Sequence, residues 1–277
     1  MRLAFNTWCY GSFPTWLPSY PLDHVIERLS SFGYDGIEIG CAAPHAWPAY
    51  LTRDRRKEIK KLLKEHDLPA VSLLPAPGGG PGFNPASPLA EERQATREQY
   101  KAVIDLAAEW GAPVVLFVAG WQVFGTSRED AWRWSVEVLR DVANHADAAG
   151  VTLCVEPTSA DSNLVDSAGD ALRMMRESEA ANVKVMFDTY HALYRNEDPA
   201  NYPYEMAGHL GHVHISDYDR LPPGRGGYDF RPLIAALEAT GYDGPLTMEI
   251  GFASRAAHPD ALAMQSLEYL RSITKRS

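Results

Sequence analysis

VTLCVEPTSADSNLVDSAGDALRMMRESEAANVKVMFD, residues 151–188, contains the unit that decides the fold. It opens on an apolar run, VTLCVEP (151–157), crosses a polar loop, continues as a helix-length segment (167–178) and closes on a second apolar run, VKVMFD (183–188). Both runs are apolar almost throughout instead of alternating, the mark of strands covered on both faces. Two such strands with a helix between them form a parallel β-α-β unit, because parallel neighbours need a long crossover.

The same unit recurs along the whole chain. Outward from 151–188, strands are expected at LAFNTW (3–8), GIEIG (36–40), PAVSLL (69–74), PVVLFVAG (113–120), HVHIS (212–216) and PLTMEI (245–250). Helices are expected near 22–32, 53–66, 89–110, 128–149, 203–210, 229–240 and 258–273, with apolar residues at four-residue steps such as Leu106, Trp110 and Val138, Val142. Gly33, Gly111, Gly150 and Gly241 punctuate helix ends. Eight strand-helix pairs fit an α/β fold with a single (β/α)8 TIM barrel over residues 1–277. A doubly wound open sheet is disfavoured, since no GxGxxG follows the first strand. Loops after the first three strands (9–21, 41–52, 75–88) are long and rich in Pro, Gly and aromatics, whereas those on the other side, such as GYDG (33–36 and 241–244), are tight. The working face is therefore expected at the C-terminal ends of the strands.

Composition narrows the function. The 277 residues carry a net charge of −10. The densest basic run, Arg53 to Lys61, is broken by acids, so no basic stripe for nucleic acid is present. No stretch approaches the ~18 apolar residues of a membrane span, and the opening MRLAFNTW has no signal-like core, so a cytoplasmic protein is expected. Cys9, Cys41 and Cys154 form no CxxC pair, which removes zinc-ribbon and redox readings.

Four residues then stand out at or near the ends of four consecutive strands: Glu156, Asp188, His214 and Glu249. A charged side chain within an apolar strand is costly unless paired or metal-bound. Four in register on neighbouring strands point to a divalent ion. Three carboxylates and one imidazole suit Mn²⁺, Mg²⁺ or Co²⁺ better than structural zinc, and Mn²⁺ is the expected ion.

The segments VEP (155–157), MFDTYH (186–191), HVHISDYDR (212–220), PPGRGGYDF (222–230) and LTMEIGF (246–252) resemble the xylose-isomerase-like barrel superfamily, in its sugar isomerase and ketose 3-epimerase branch. The resemblance spans essentially the whole chain, including the opening strand and GYDGIEIG (33–40). It implies proton transfer next to a sugar carbonyl through an enediolate, whose charge a divalent ion stabilises. By similarity, Glu156 and Glu249 would bind metal and act as the acid/base pair, with Asp188 and His214 as ligands only. His191 and Arg220 match substrate-binding positions of the ketose epimerases. The branch also implies a dimer or tetramer and a small carbohydrate substrate.

The chain departs from the branch at one position. Ketose 3-epimerases carry a glutamate six residues beyond the first ligand; here that residue is Ser162, with Asp161 one place off. Aldose-ketose isomerisation, keto-inositol dehydration and eliminative cleavage of an oxidised glycoside therefore stay open as alternatives on the same enolate chemistry. The superfamily's AP endonucleases are a poorer fit, because their metal clusters hold more histidines and GIEIG and PAVSLL contain none. A non-catalytic binding protein would not need both glutamates.

Aromatic residues crowd the expected working face. Trp8, Trp121, Phe252 and His45 are the expected substrate-contacting members, among a wider set that includes Phe13, Trp16, Trp47, Tyr50 and Phe124. Their abundance suggests a substrate larger than a free ketose, such as a glycoside or modified sugar. PAPGGGPG (75–82) lacks the GK[ST] of a phosphate loop and reads as lid-like, while His212 reads as packed within the barrel.

Overall fold

A computed structural model describes residues 1–11, 19–75, 82–251 and 257–274. Its strands are β1 (Leu3–Asn6), β2 (Gly36–Cys41), β3 (Ala70–Pro75), β4 (Val114–Val118), β5 (Thr152–Glu156), β6 (Val183–Asp188), β7 (Leu210–Ile215) and β8 (Leu246–Met248). They pair in parallel in sequence order and β8 closes on β1, giving the expected barrel. The helices are α1 (Leu22–Phe32), α2 (Arg53–Glu65), α3 (Ala90–Trp110), α4 (Arg128–Ala148), α5 (Ala168–Ser178), α6 (Thr189–Tyr194), α7 (Tyr202–Glu205), α8 (Arg231–Ala239) and α9 (Pro259–Ile273).

Local chemistry sets these boundaries. Thr52, Ser127 and Ser167 cap α2, α4 and α5, each accepting a backbone N–H from the first turn. Gly33 ends α1 in the left-handed region at φ 89°, where a side chain is disfavoured. The segment after β6 differs from the expectation. In place of one helix over 203–210, α6 starts directly at the strand end, with Asp188 accepting from Tyr190 N–H at 2.8 Å, and a shorter α7 follows. Asp188 thus serves as a helix cap as well as a candidate ligand.

Residues on alternate sides of each strand do different work. The helix-facing residues Phe5, Ile37, Ile39, Leu73, Val115, Phe117, Leu153, Val155, Val185, Phe187, Val213 and Ile215 merge with the helices into the main core. Burying each of these large side chains contributes about 1.5–3 kcal/mol. A second, smaller cluster joins Leu74, Val114, Leu116, Cys154 and Met186, with Trp8 packed against it. These lie on the other face of β3–β6, inside the barrel. On β7, β8, β1 and β2 the same face is polar, carrying His212, His214, Thr247, Asn6 and Glu38, all essentially fully buried. The barrel interior is therefore apolar on one side and polar on the other.

The N-terminal loop is anchored to α9. Tyr10 donates its hydroxyl to Asp260 Oδ1 at 2.7 Å, and Arg28 of α1 pairs with Asp260 Oδ2 at 2.8 Å. Among the described residues, no helix is long and apolar enough to cross a membrane.

Candidate active site

Barrel register brings the four expected ligands together. Asp188 pairs with His214 across β6 and β7, Glu156 ends β5 beside Val118 of β4, and Glu249 follows β8. One ligand atom from each lies within 4.8 Å of the others, and all four residues are buried. Glu156 and Glu249 come from strands separated by β6 and β7, so they meet His214 from two sides: Nδ1 is 3.6 Å from Glu156 Oε1 and 3.3 Å from Glu249 Oε2.

The donor set fits a divalent cation. Three buried carboxylates face one another with His214 between them, an arrangement that requires positive charge. His214 Nδ1 is buried without a hydrogen bond, although Nε2 bonds Glu38 Oε1 at 2.8 Å. Its bare side is the one turned toward the three carboxylates.

Charge separates the two glutamates. Burial, reinforced by Glu249 and Asp188, pushes Glu156 up to about 7. Burial acts in the same direction on Glu249, but the Arg220 and His214 charges outweigh it and hold the carboxyl at about 2. For His214, burial opposes protonation, and the surrounding glutamates, Glu38 first, override it and raise the imidazole well above its usual value.

Arg220 reaches the cluster from an unusual stretch of backbone. Asp219 and Arg220 both have left-handed φ, 57° and 59°. The buried Asp217 carboxylate holds this turn by accepting from the N–H groups of Tyr218, Gly224 and Tyr228 at 2.9–3.1 Å. Gly226 packs so close that an added Cβ would lie 2.6 Å from Asp217 Oδ1. The turn places the guanidinium over the Tyr190 ring at 4.2 Å, with Nη1 bonded to Asp188 and, at 2.6 Å, to Glu249 Oε2.

His191 sits beside Arg220 in α6, not in a loop. Its Nδ1 accepts from Ala160 N–H at 3.2 Å, and its Nε2 lies 3.4 Å from Arg220 Nη2 and 3.6 Å from Asp161 Oδ2. Burial and the neighbouring Arg220 charge lower the imidazole to about 3, so it is neutral. Asp161, 64% exposed, also lies 3.7 Å from Arg220 Nη2. Ser162 turns away into a 2.6 Å hydrogen bond with Thr158. The carboxylate beside His191 and Arg220 is therefore supplied from position 161.

The aromatic expectations divide. Trp8 lies at the barrel mouth against the interior cluster, its ring so close to Gly40 that a Cβ there would come within 2.2 Å. Trp121 follows β4, half-buried, its backbone held by Asn84 through bonds of 2.9 and 3.1 Å. His45 is buried with Nε2 bonded to the Tyr20 carbonyl at 2.8 Å, a tie between two loops rather than a group aimed at the cluster. Phe124 is fully exposed, and Trp47 packs on Tyr50 and Phe83. Phe252, Phe13, Trp16 and most of the glycine-rich loop lie outside the described residues.

Sequence reasoning passed over Glu38, Asn6 and Ser72, which sit beneath the cluster in register, Asn6 beside Glu38 and Glu38 beside Ser72. A glutamate inside the apolar run GIEIG is the same signal that singled out Glu249. His212 is buried as expected and faces Glu38 Oε2 at 3.0 Å.

Known proteins place this architecture. The family model described as xylose isomerase-like TIM barrel matches residues 26–273. A fructoselysine 3-epimerase of Shigella flexneri is 28% identical over 95% of this chain and 97% of its own. A 3-dehydro-D-guloside 4-epimerase of Escherichia coli (strain K12) is 26% identical over 90% of this chain and 95% of its own. The structure of D-psicose 3-epimerase with D-tagatose from Clostridium cellulolyticum H10 superposes with a TM-score of 0.84 at 22% identity, covering 99% of both chains.

Proposed function

The chain belongs to the xylose isomerase-like TIM-barrel family, and from that premise we propose that it is a divalent-metal-dependent sugar epimerase acting next to a ketone carbonyl. The observation that carries the reading is the placement of Glu156 and Glu249 on either side of His214, within 4.8 Å of Asp188 and of each other. Glu156, Asp188, His214 and Glu249 would hold the ion, which when bound polarises the carbonyl and stabilises negative charge on its oxygen.

The chain's own residues divide the rest of the work. One glutamate removes the proton from the carbon beside the carbonyl, and the other returns a proton to the opposite face. Arg220 and His191 orient the substrate oxygens and meet the charge that develops there. Asp161 accepts a hydroxyl of the substrate at the mouth. Trp8 offers an apolar wall, with Trp121 as a further contact; the expected contact Phe252 lies outside the described residues. His45 is assigned to holding the loop.

Similarity to 3- and 4-epimerases favours epimerisation over elimination. The proposal has Mn²⁺ as the ion, a carbohydrate ketone as substrate, one barrel domain, and a cytoplasmic dimer or tetramer as its setting.

Incubation in D₂O with Mn²⁺ tests it, using free ketoses, amine-linked ketoses and 3-keto-glycosides, with the ion chelated before NMR. Deuterium at the epimerised carbon is the expected result, and its position distinguishes C3 from C4. Release of water or an aglycone would establish elimination instead; absence of label and product throughout the panel would overturn the proposal.

A further inference from the structure

We propose that Glu38, together with Asn6, is a positioning residue for the cation site, fixing which nitrogen of His214 faces the ligand cluster and how Glu249 is turned. The proposal rests on the reading of Glu156, Asp188, His214 and Glu249 as ligands.

Glu38 lies on β2, fully buried, and its two oxygens receive four donors. Asn6 Nδ2 at 2.7 Å and His214 Nε2 at 2.8 Å converge on Oε1, while Ser72 Oγ at 2.5 Å and His212 Nε2 at 3.0 Å converge on Oε2. A carboxylate has about four lone-pair directions, so this one is saturated. Glu38, His212 and His214 are close enough together to resemble a second metal site, but the hydrogen bonds already fill it.

Two consequences follow for the site above. Donation from Nε2 holds a proton there, so the proton that an ion would displace is the one on Nδ1, which faces the cluster, the arrangement by which a carboxylate orients a metal-bound histidine. Asn6 extends the control to Glu249. Its Oδ1 accepts from Trp8 N–H at 2.7 Å, which fixes the amide orientation, and its Nδ2 reaches both Glu38 and, at 3.3 Å, Glu249 Oε1. One buried carboxylate therefore sets a ligand on β7 and, through Asn6, the glutamate after β8.

The first measurement uses intact ¹⁵N-labelled protein loaded with Mg²⁺. Long-range ¹H–¹⁵N correlations, assigned with a His214→Asn control, should show His214 protonated at Nε2; a proton on Nδ1 overturns the proposal. The second is Co²⁺ titration of wild type, Glu38→Gln and Glu38→Leu, followed by calorimetry and visible absorption, with circular dichroism confirming fold. Wild type should bind one Co²⁺, and Glu38→Leu should bind it about 10–100-fold more weakly with shifted bands. Glu38→Gln keeps an acceptor toward His214 and should recover part of the loss. Unchanged affinity and spectrum in a folded Leu variant would overturn the positioning role while leaving the ligand assignment intact. Two Co²⁺ per wild-type chain, one lost in Glu38→Gln, would instead make Glu38 a ligand. If Glu38→Leu does not fold, the tautomer and the Gln variant decide. A wild type that takes up no Co²⁺ removes the ligand reading, and the proposal with it.

Discussion

Arg220 places its guanidinium 2.6 Å from Glu249, so the residue expected to meet substrate is bonded directly to a residue expected to move its proton. The same Nη1 also bonds Asp188. A lysine ammonium could meet the two carboxylates but has no planar group to stack on Tyr190. Arg220→Ala is expected to lower kcat/KM by about 10²-fold, the scale of one lost oxyanion donor. Arg220→Lys should recover only part of this. Steady-state kinetics at matched metal content check it; near-wild-type values for the Ala variant would remove Arg220 from the chemistry.

Two opposed carboxylates make a distinctive prediction about exchange. Each of Glu156→Gln and Glu249→Gln should lower epimerisation by about 10²–10⁴-fold. Each should nevertheless still exchange solvent deuterium into one of the two epimers, a different one in each variant. NMR in D₂O on both epimers reads this directly. Loss of exchange from both epimers in both folded, metal-loaded variants would exclude a two-base arrangement.

Metal removal should destabilise the folded chain. A ligand that binds only the native state contributes about 2.7 kcal/mol at a hundredfold excess over Kd. For a chain of this size that moves Tm by about 5–10 °C. Chelation followed by Mn²⁺ add-back, monitored by scanning calorimetry, should show the shift, and Asp188→Asn should abolish it.

Stability at low pH should depend on Asp260, away from the site. Burial opposes its ionisation, but the Tyr10 hydroxyl and Arg28 prevail and hold the carboxyl below its usual range. A depressed folded-state value means the stabilisation is present above the unfolded value of about 3.9 and is lost as pH falls through the folded one. Asp260→Asn should cost about 2 kcal/mol at pH 7, with a smaller difference from wild type under acid conditions. Urea unfolding across pH 2–7 measures this; a constant difference would contradict the assignment.

Gly40 leaves room for the Trp8 ring, where a Cβ would lie within 2.2 Å. Gly40→Ala is expected to displace Trp8, costing about 1–3 kcal/mol in stability by overpacking. It should also raise KM for bulky sugar substrates more than it lowers kcat. Equal effects on every substrate would place Trp8 outside the binding wall.

The barrel and its four expected ligands were legible because both depend on repetition. Near-continuous apolar runs mark strands buried on both faces, and a carboxylate or histidine at the end of four such runs is conspicuous against them. Glu38 was equally conspicuous in GIEIG, but its meaning depended on His214, which is 176 positions away. The helix directly after β6 was hidden because its cap, Asp188, is also a candidate ligand.

The sequence by itself determined the order of strands, the end of the barrel where the candidate site gathers, and the chemical type of its candidate ligands, since these follow from periodicity and from the cost of burying charge. Only the tertiary structure decided which groups face which. Barrel closure brought Asn6 to Glu249 across 243 positions and turned His214 Nδ1 toward the carboxylates. It placed Asp161, not Ser162, beside His191 and Arg220, and made His45 a loop tie. Such pairings depend on side-chain direction and strand register, which local sequence does not encode.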